Sequence, residues 1–209
     1  VMPRPTPRRK PPSKKNLPAV VAAWPVPSPA KLALWAMDEH RVGLKPILRR
    51  VWARRGQRPI AVVRPRYQWL YVYAFVEPCS GRTVWLLMPT VSVAAFSAAL
   101  AAFAEAVGAH ADHPVALVMD QAGWHVSPKL VWPTGAAPVW LPSHSPELQP
   151  AERLWPLTDE ALANRTFATL AELEETLAAR CLVLQDRPGQ IRVCTHYHWW
   201  PTTCSNRST

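Results

Sequence analysis

Glycine is scarce in this sequence, 7 of 209 residues, and Asp and Glu number 14 against 24 Lys and Arg. With so little glycine there is no GxxxxGK[ST] phosphate loop, and GxSxG elbows and HExxH helices are missing too. Nucleotide-cradling P-loops, serine hydrolases of the elbow type and helix-borne zinc proteases are thereby set aside. The four cysteines, Cys79, Cys181, Cys194 and Cys204, form no CxxC pair, so neither a zinc knuckle nor a disulfide framework is expected. Long apolar runs are absent as well: "SVAAFSAALAAFAEAVG" carries Glu105 and reads as amphipathic rather than membrane-spanning. The basic N-terminal run is followed by prolines instead of an apolar segment, so no secretory leader and no membrane partner are expected. A reducing, cytoplasmic compartment is the default expectation.

What the chain has in excess is proline, 24 residues, and positive charge, +10 formally. Residues 1–30 read as an extended basic, Pro-rich arm or linker. Ahead of Leu17 it carries Arg4, Arg8, Arg9, Lys10, Lys14 and Lys15 without one acid. A second acid-free block runs from Arg41 to Arg66 and contains Arg41, Lys45, Arg49, Arg50, Arg54, Arg55, Arg58, Arg64 and Arg66, with Trp52 inside it and Tyr67 next to it. Clustered cations gain free energy by displacing counterions from phosphates, which points to a nucleic-acid partner. The plainer account is a solvated basic face.

Between these features the chain alternates strand and helix signals. "KLALWAMDEH" suits a buried strand; "YQWLYVYAFVEP", a "CSG" turn and "RTVWLLMP" read as an antiparallel hairpin. Ser92 is placed to cap a long Ala-rich helix ending near Gly108. "PVALVMD" and "AAPVWLP" are short apolar runs of the parallel-strand kind. From Pro150 the pattern turns helical, and "LAELEETLAARCLVL" is a final amphipathic helix. The expected fold is α/β: a mixed sheet, an antiparallel three-strand meander plus parallel strands, flanked by helices in a ribonuclease-H-like order. Residues 31–186 form this domain, and residues 187–209 read as a C-terminal tail.

Three acids stand where chemistry can use them. Asp38 lies on the first strand, on the face of Leu34 and Ala36, with Glu39 facing the other way. Asp120 ends "PVALVMD". An ionised carboxylate in such a place is costly unless it is paired or holds a metal. Glu152 sits in the first turn after Pro150, in "LPSHSPELQPAERLW", where taken alone it reads as a capping acid; Glu147 reads as a loop acid. Carboxylates gathered from separate elements call for Mg²⁺ or Mn²⁺, and two such ions can serve phosphoryl transfer without a protein nucleophile.

"WAMDEHRVGL", "LVMDQAGWH" and "LPSHSPELQPAERLW" together resemble the three acid-bearing motifs of bacterial insertion-sequence transposases of the mariner superfamily, in the branch called insertion sequence family six-thirty. The resemblance runs over roughly residues 31 to 200. It implies a ribonuclease-H-like catalytic domain in which Asp38, Asp120 and Glu152 are the catalytic, metal-binding acids, with two Mg²⁺ or Mn²⁺ ions as cofactors. It also implies DNA cleavage and strand transfer on double-stranded DNA, at transposon ends and target, by a homodimer in the nucleoid. Arg49, Arg50, Arg54, Arg55, Arg58 and His125 are the expected DNA contacts, with a solvated turn as the plain reading of the arginines and a loop-closing hydrogen bond as that of His125. His144 stands where the family has a tyrosine. No helix-turn-helix part is recognisable, so an upstream polypeptide supplying one is an expected partner. A catalytically silent DNA-binding or assembly protein derived from a transposase, and a general ribonuclease-H-like nuclease, are the rival readings.

Overall fold

The computed structural model describes residues 19, 32–57, 59–60, 66–142 and 145–201. Nearly all of the basic arm, together with Arg58, Arg64 and His144, lies outside the described residues.

Five strands follow the expected order: β1 (Ala33–Gly43), β2 (Trp69–Glu77), β3 (Arg82–Met88), β4 (Val115–Met119) and β5 (Ala136–Trp140). They form one sheet in the order β3-β2-β1-β4-β5. β1 pairs antiparallel with β2, and β2 with β3, while β4 runs parallel to both β1 and β5. This is the antiparallel meander extended by parallel strands that the ribonuclease-H-like reading expects. β2 is dominated by aromatic and β-branched residues, and the tight turn at residues 78–81 ends at Gly81, whose φ of 79° favours glycine.

Helix α1 (Val93–Val107) covers one face. Ser92 caps it by accepting from the Ala95 amide at 3.1 Å, and Gly108 closes it in a left-handed conformation at φ 65°. Phe96, Ala99, Leu100, Phe103 and Val107, at helical spacing, meet Trp35, Met37, Tyr73, Phe75, Leu117 and Met119 from the sheet. Phe103 stacks on Phe75 with centroids 4.2 Å apart and meets Trp35 edge-on at 5.2 Å. Such pairs add about 0.5–1.5 kcal/mol each beyond the burial of their area.

The opposite face carries Leu34, Ala36, Val76, Val118 and Val139, packed on Leu148, Ala151 and Leu154 and on α3 (Leu170–Gln185) and α4 (Pro188–Thr195) through Leu184 and Ile191. The segment from Pro150 is not one helix. It is a 3₁₀ helix (Pro150–Leu154) followed by the short α2 (Trp155–Asp159). Pro156 has no amide hydrogen to give to the Glu152 carbonyl; instead the Trp155 amide donates to that oxygen, closing a 3₁₀ turn. After Gln185 the sequence pattern offers no further helix, yet α4 and Trp200 close over this face. A Cβ on Gly81 would lie 1.9 Å from the Pro188 carbonyl oxygen, so the β2–β3 turn and α4 meet backbone to backbone. Cys181 and Cys194 are free thiols, and Cys79 is disulfide-bonded, a cross-link the cysteine spacing did not suggest. Among the described residues no helix is long and apolar enough to cross a membrane.

Candidate active site

Parallel pairing carries the first two acids to the same end of the sheet. The β1–β4 register pairs Ala36 with Val118. Two residues further along each strand stand Asp38 and Asp120, at the carboxyl end of β4, where mixed α/β sheets gather ligands. Asp38 extends the face of Leu34 and Ala36; Glu39 extends that of Trp35 and Met37, toward α1. The period-two reading of "WAMDEH" therefore holds.

Glu152 comes to this end of the sheet on the 3₁₀ helix. Gln149, which is buried, caps that helix by accepting from the Ala151 amide at 3.4 Å, and its own amide donates to the Met37 carbonyl at 2.8 Å. One side chain thus starts the Glu152 turn and ties it to the strand residue before Asp38. Both aspartates bear on the electrostatics here. The Asp38 carboxyl is raised to about 7, chiefly by burial; the charges of Glu39 and Glu152 add to the rise, and hydrogen bonds from Trp155 and the Glu39 backbone oppose it. Burial likewise raises Glu152; Arg153 opposes this, and the Asp120 and Glu147 charges add to it. Among the described residues no three His, Cys, Asp or Glu side chains close to the distances of a complete metal site.

Each aspartate is held by an aromatic donor. Trp155 Nε1 donates to Asp38 Oδ2 at 2.9 Å, and the Trp155 ring stacks on His40 at 4.9 Å. His40 in turn lies 3.0 Å from Asp159. Asp120 begins a turn: its Oδ1 accepts from the Ala122 amide at 3.1 Å, and Gln121 donates to the Leu141 carbonyl at 2.7 Å. One more turn, with the His125 amide on the Ala122 carbonyl, returns His125 to Asp120. Its Nδ1 lies 2.7 Å from Asp120 Oδ1 and its Nε2 lies 2.8 Å from Glu39 Oε1.

His125 was expected at DNA, but its side chain is only 1% exposed and both ring nitrogens face carboxylates. It has no nitrogen left for a phosphate in this arrangement, and the loop-closing role is the one seen. Burial works to lower its pKa, but hydrogen bonds to Asp120 and Glu39 outweigh that and raise it to about 9. The same bond to His125 lowers the Asp120 carboxyl. An imidazolium between two carboxylates accounts for both shifts.

The expected DNA-facing arginines divide. Arg50, Arg54 and Arg55 are exposed on a stretch without regular structure, next to a fully exposed Trp52. Arg49 is moored: its guanidinium donates to the Pro156 carbonyl at 3.1 Å and lies 3.8 Å from Asp159. Its backbone exchanges hydrogen bonds of 2.9 and 3.1 Å with the Asn164 side chain. His198 is exposed and the buried His196 Nε2 has no partner, so the pair forms no metal site with other described residues. Gln149, Trp155 and Glu39 emerge as supports only in the fold; their one signal in the sequence is that they lie within the acid-bearing motifs.

Residues 33–174 match the family described as DDE superfamily endonuclease. A relative from Sinorhizobium fredii (strain NBRC 101917 / NGR234), Uncharacterized protein y4pE/y4sA, is 36% identical over 126 residues, covering 59% of this chain and 90% of its own length. Among solved structures, a pre-cleavage Mos1 transpososome superposes with TM-score 0.56 at 13% identity, covering 88% of this chain and 62% of that one. The Mos1 strand transfer complex gives 0.53 at 14%, covering 88% and 61%. The Mos1 mariner paired end complex with Mn gives 0.50 at 16%, covering 79% and 56%. These likenesses share the ribonuclease-H-like fold, and the chain spans about three-fifths of the Mos1 chains or less.

Proposed function

This chain belongs to the DDE superfamily endonuclease family, and from that premise we propose that it is the catalytic domain of a DNA transposase. It cuts DNA at the ends of a mobile element and joins the freed 3′-hydroxyl to target DNA. What supports this reading is the parallel β1–β4 register, which leads toward Asp38 and Asp120 at one sheet end, and the Gln149–Met37 bond that ties the turn of Glu152 to β1.

Asp38, Asp120 and Glu152 would hold two Mg²⁺ or Mn²⁺ ions. The donor set fits: oxygen carboxylates with no thiolate among them suit hard divalent cations. Asp38, raised to about 7 by burial and neighbouring acids, lacks the positive charge that such cations bring. When bound, they activate an attacking oxygen and stabilise a leaving one. The rest falls to the protein. Trp155 and His125 orient the two aspartates before substrate arrives, which spares reorganisation during the reaction. Arg50, Arg54 and Arg55 hold the phosphate backbone, with Arg58 as a further contact from outside the described residues. A homodimer on DNA and an upstream helix-turn-helix polypeptide complete the proposed assembly, which works in the bacterial nucleoid. Residues 31–186 are the proposed unit of catalysis, preceded by the arm of residues 1–30 and followed by residues 187–209.

The test is Asp120→Asn, which replaces one carboxylate oxygen with an amide nitrogen. Mg²⁺-dependent nicking of duplex DNA carrying the element ends is lost, while gel-shift affinity for that DNA is kept. Nicking by the variant at the wild-type rate, or cleavage confined to RNA–DNA hybrids, overturns the proposal.

A further inference from the structure

We infer that Glu39 is a positioning residue for the proposed reaction, acting on Asp120 through His125 from the opposite face of the sheet. The inference rests on the reading of Asp120 as a metal-holding acid and deepens it.

Glu39 sits on the α1 face, and its side chain is nearly buried. A carboxylate there costs free energy that an apolar residue would not, so its partners must explain it. Both of its described partners belong to the turn that follows Asp120: Trp124 Nε1 donates to Oε1 at 3.1 Å, and His125 Nε2 meets the same oxygen at 2.8 Å. The imidazole is confined as well. Phe96 of α1 lies 4.5 Å from it, centroid to centroid, and Trp124 meets it edge-on at 5.7 Å. With Nε2 on Glu39 and the ring walled in, Nδ1 can point only at Asp120 Oδ1, 2.7 Å away.

Asp120 needs this support. It lies past the end of β4, and its side chain is 58% exposed. Both described hydrogen bonds to its carboxylate, from Ala122 and His125, fall on Oδ1. They pin that oxygen and leave Oδ2 without a donor among the described residues. Loss of a group that hydrogen-bonds a metal ligand costs about tenfold to a hundredfold in metal affinity; His125 is that group for Asp120, and Glu39 acts through it.

The experiment compares the full chain with Glu39→Ala and Glu39→Gln. It measures Mn²⁺ binding by calorimetry, melting temperature without metal, DNA affinity, and the Mg²⁺ concentration for half-maximal nicking. Glu39→Ala weakens Mn²⁺ binding by up to about tenfold and raises the Mg²⁺ requirement in parallel, with DNA affinity unchanged. Glu39→Gln, whose amide oxygen still accepts from His125, stays near wild type. A role confined to folding would lower the melting temperature and leave Mn²⁺ affinity alone. Wild-type Mn²⁺ affinity in Glu39→Ala overturns the inference, and so does equal loss in Glu39→Gln. Where Glu39→Ala does not fold, Trp124→Phe removes one of the two donors to Glu39 and is expected to weaken Mn²⁺ binding; wild-type affinity there is equally fatal. Asp120→Asn separates the two readings. If it too binds Mn²⁺ as wild type does, the metal assignment itself falls, and the role of Glu39 with it.

Discussion

Replacing Asp38 with asparagine should stabilise the metal-free protein in alkaline solution while destroying its proposed activity. The Asp38 carboxyl is raised from its ordinary 3.8 to about 7, chiefly by burial. A carboxyl harder to ionise in the folded than in the unfolded chain makes stability fall as pH rises, from its unfolded value to its folded one. At about 1.4 kcal/mol for each tenfold change, that is about 4 kcal/mol across the whole window. Between pH 5 and pH 8 about 3 kcal/mol of it remains to be lost. For a chain of this size that corresponds to roughly 6–12 °C in melting temperature. Asparagine keeps an oxygen to accept from Trp155 Nε1 and carries no charge, so its profile lacks this fall. His125 adds a second decline common to both chains: its pKa is raised to about 9, so its stabilisation is complete below its ordinary 6.5 and is lost as pH climbs through 9. The informative quantity is therefore the difference between wild type and Asp38→Asn, followed by thermal melts in chelator from pH 5 to 8. It should widen by about 3 kcal/mol in favour of the variant. Mg²⁺ at pH 8 should recover stability in wild type far more than in Asp38→Asn. Parallel profiles would refute the reasoning, because Asp38 would then not be a charge strained by its surroundings.

Gln149→Ala strips the donor from the Met37 carbonyl and the cap from the Glu152 turn, so it should cost about 1–3 kcal/mol in urea unfolding and slow nicking more than it weakens DNA binding. Changing Arg50, Arg54 and Arg55 together to Ala should leave the melting temperature unaltered, since these exposed side chains make no described internal bond. It should lower DNA affinity and flatten the salt dependence of log K by about 0.9 for each phosphate that is no longer neutralised; an unchanged slope would remove this stretch from the DNA interface.

Much of the fold could be read from residue order because its strands are either wholly apolar or bounded by strong turn signals. "PVALVMD" and "YQWLYVYAFVEP" leave little alternative, and Ser92 and Gly108 mark both ends of α1. Where reading failed, the cause was tertiary. "PGQIRVCT" is short, has glycine at its second position and offers little apolar surface, yet it is helical: Pro188 opens its first turn, where a missing amide hydrogen costs nothing, and Ile191 and Thr195 are buried. Pro156 was visible in the sequence, but its effect depends on the register of the helix it interrupts. At the site, the three acids stood out as charges in apolar or rigid settings. Their supports did not. The Trp155–Asp38 and Gln149–Met37 bonds span more than a hundred residues, and no local pattern separates a tryptophan that donates to a carboxylate from one that fills a core.

The bond from Gln149 to Met37 ends on a carbonyl, an atom that every residue type supplies. Residue 37 can therefore drift among side chains that fit its core pocket without loosening the third acid. The loops between Asp120 and Gln149 can lengthen or shorten so long as the glutamine still reaches the strand. Relatives of this chain should vary in that spacing well before they vary in the glutamine.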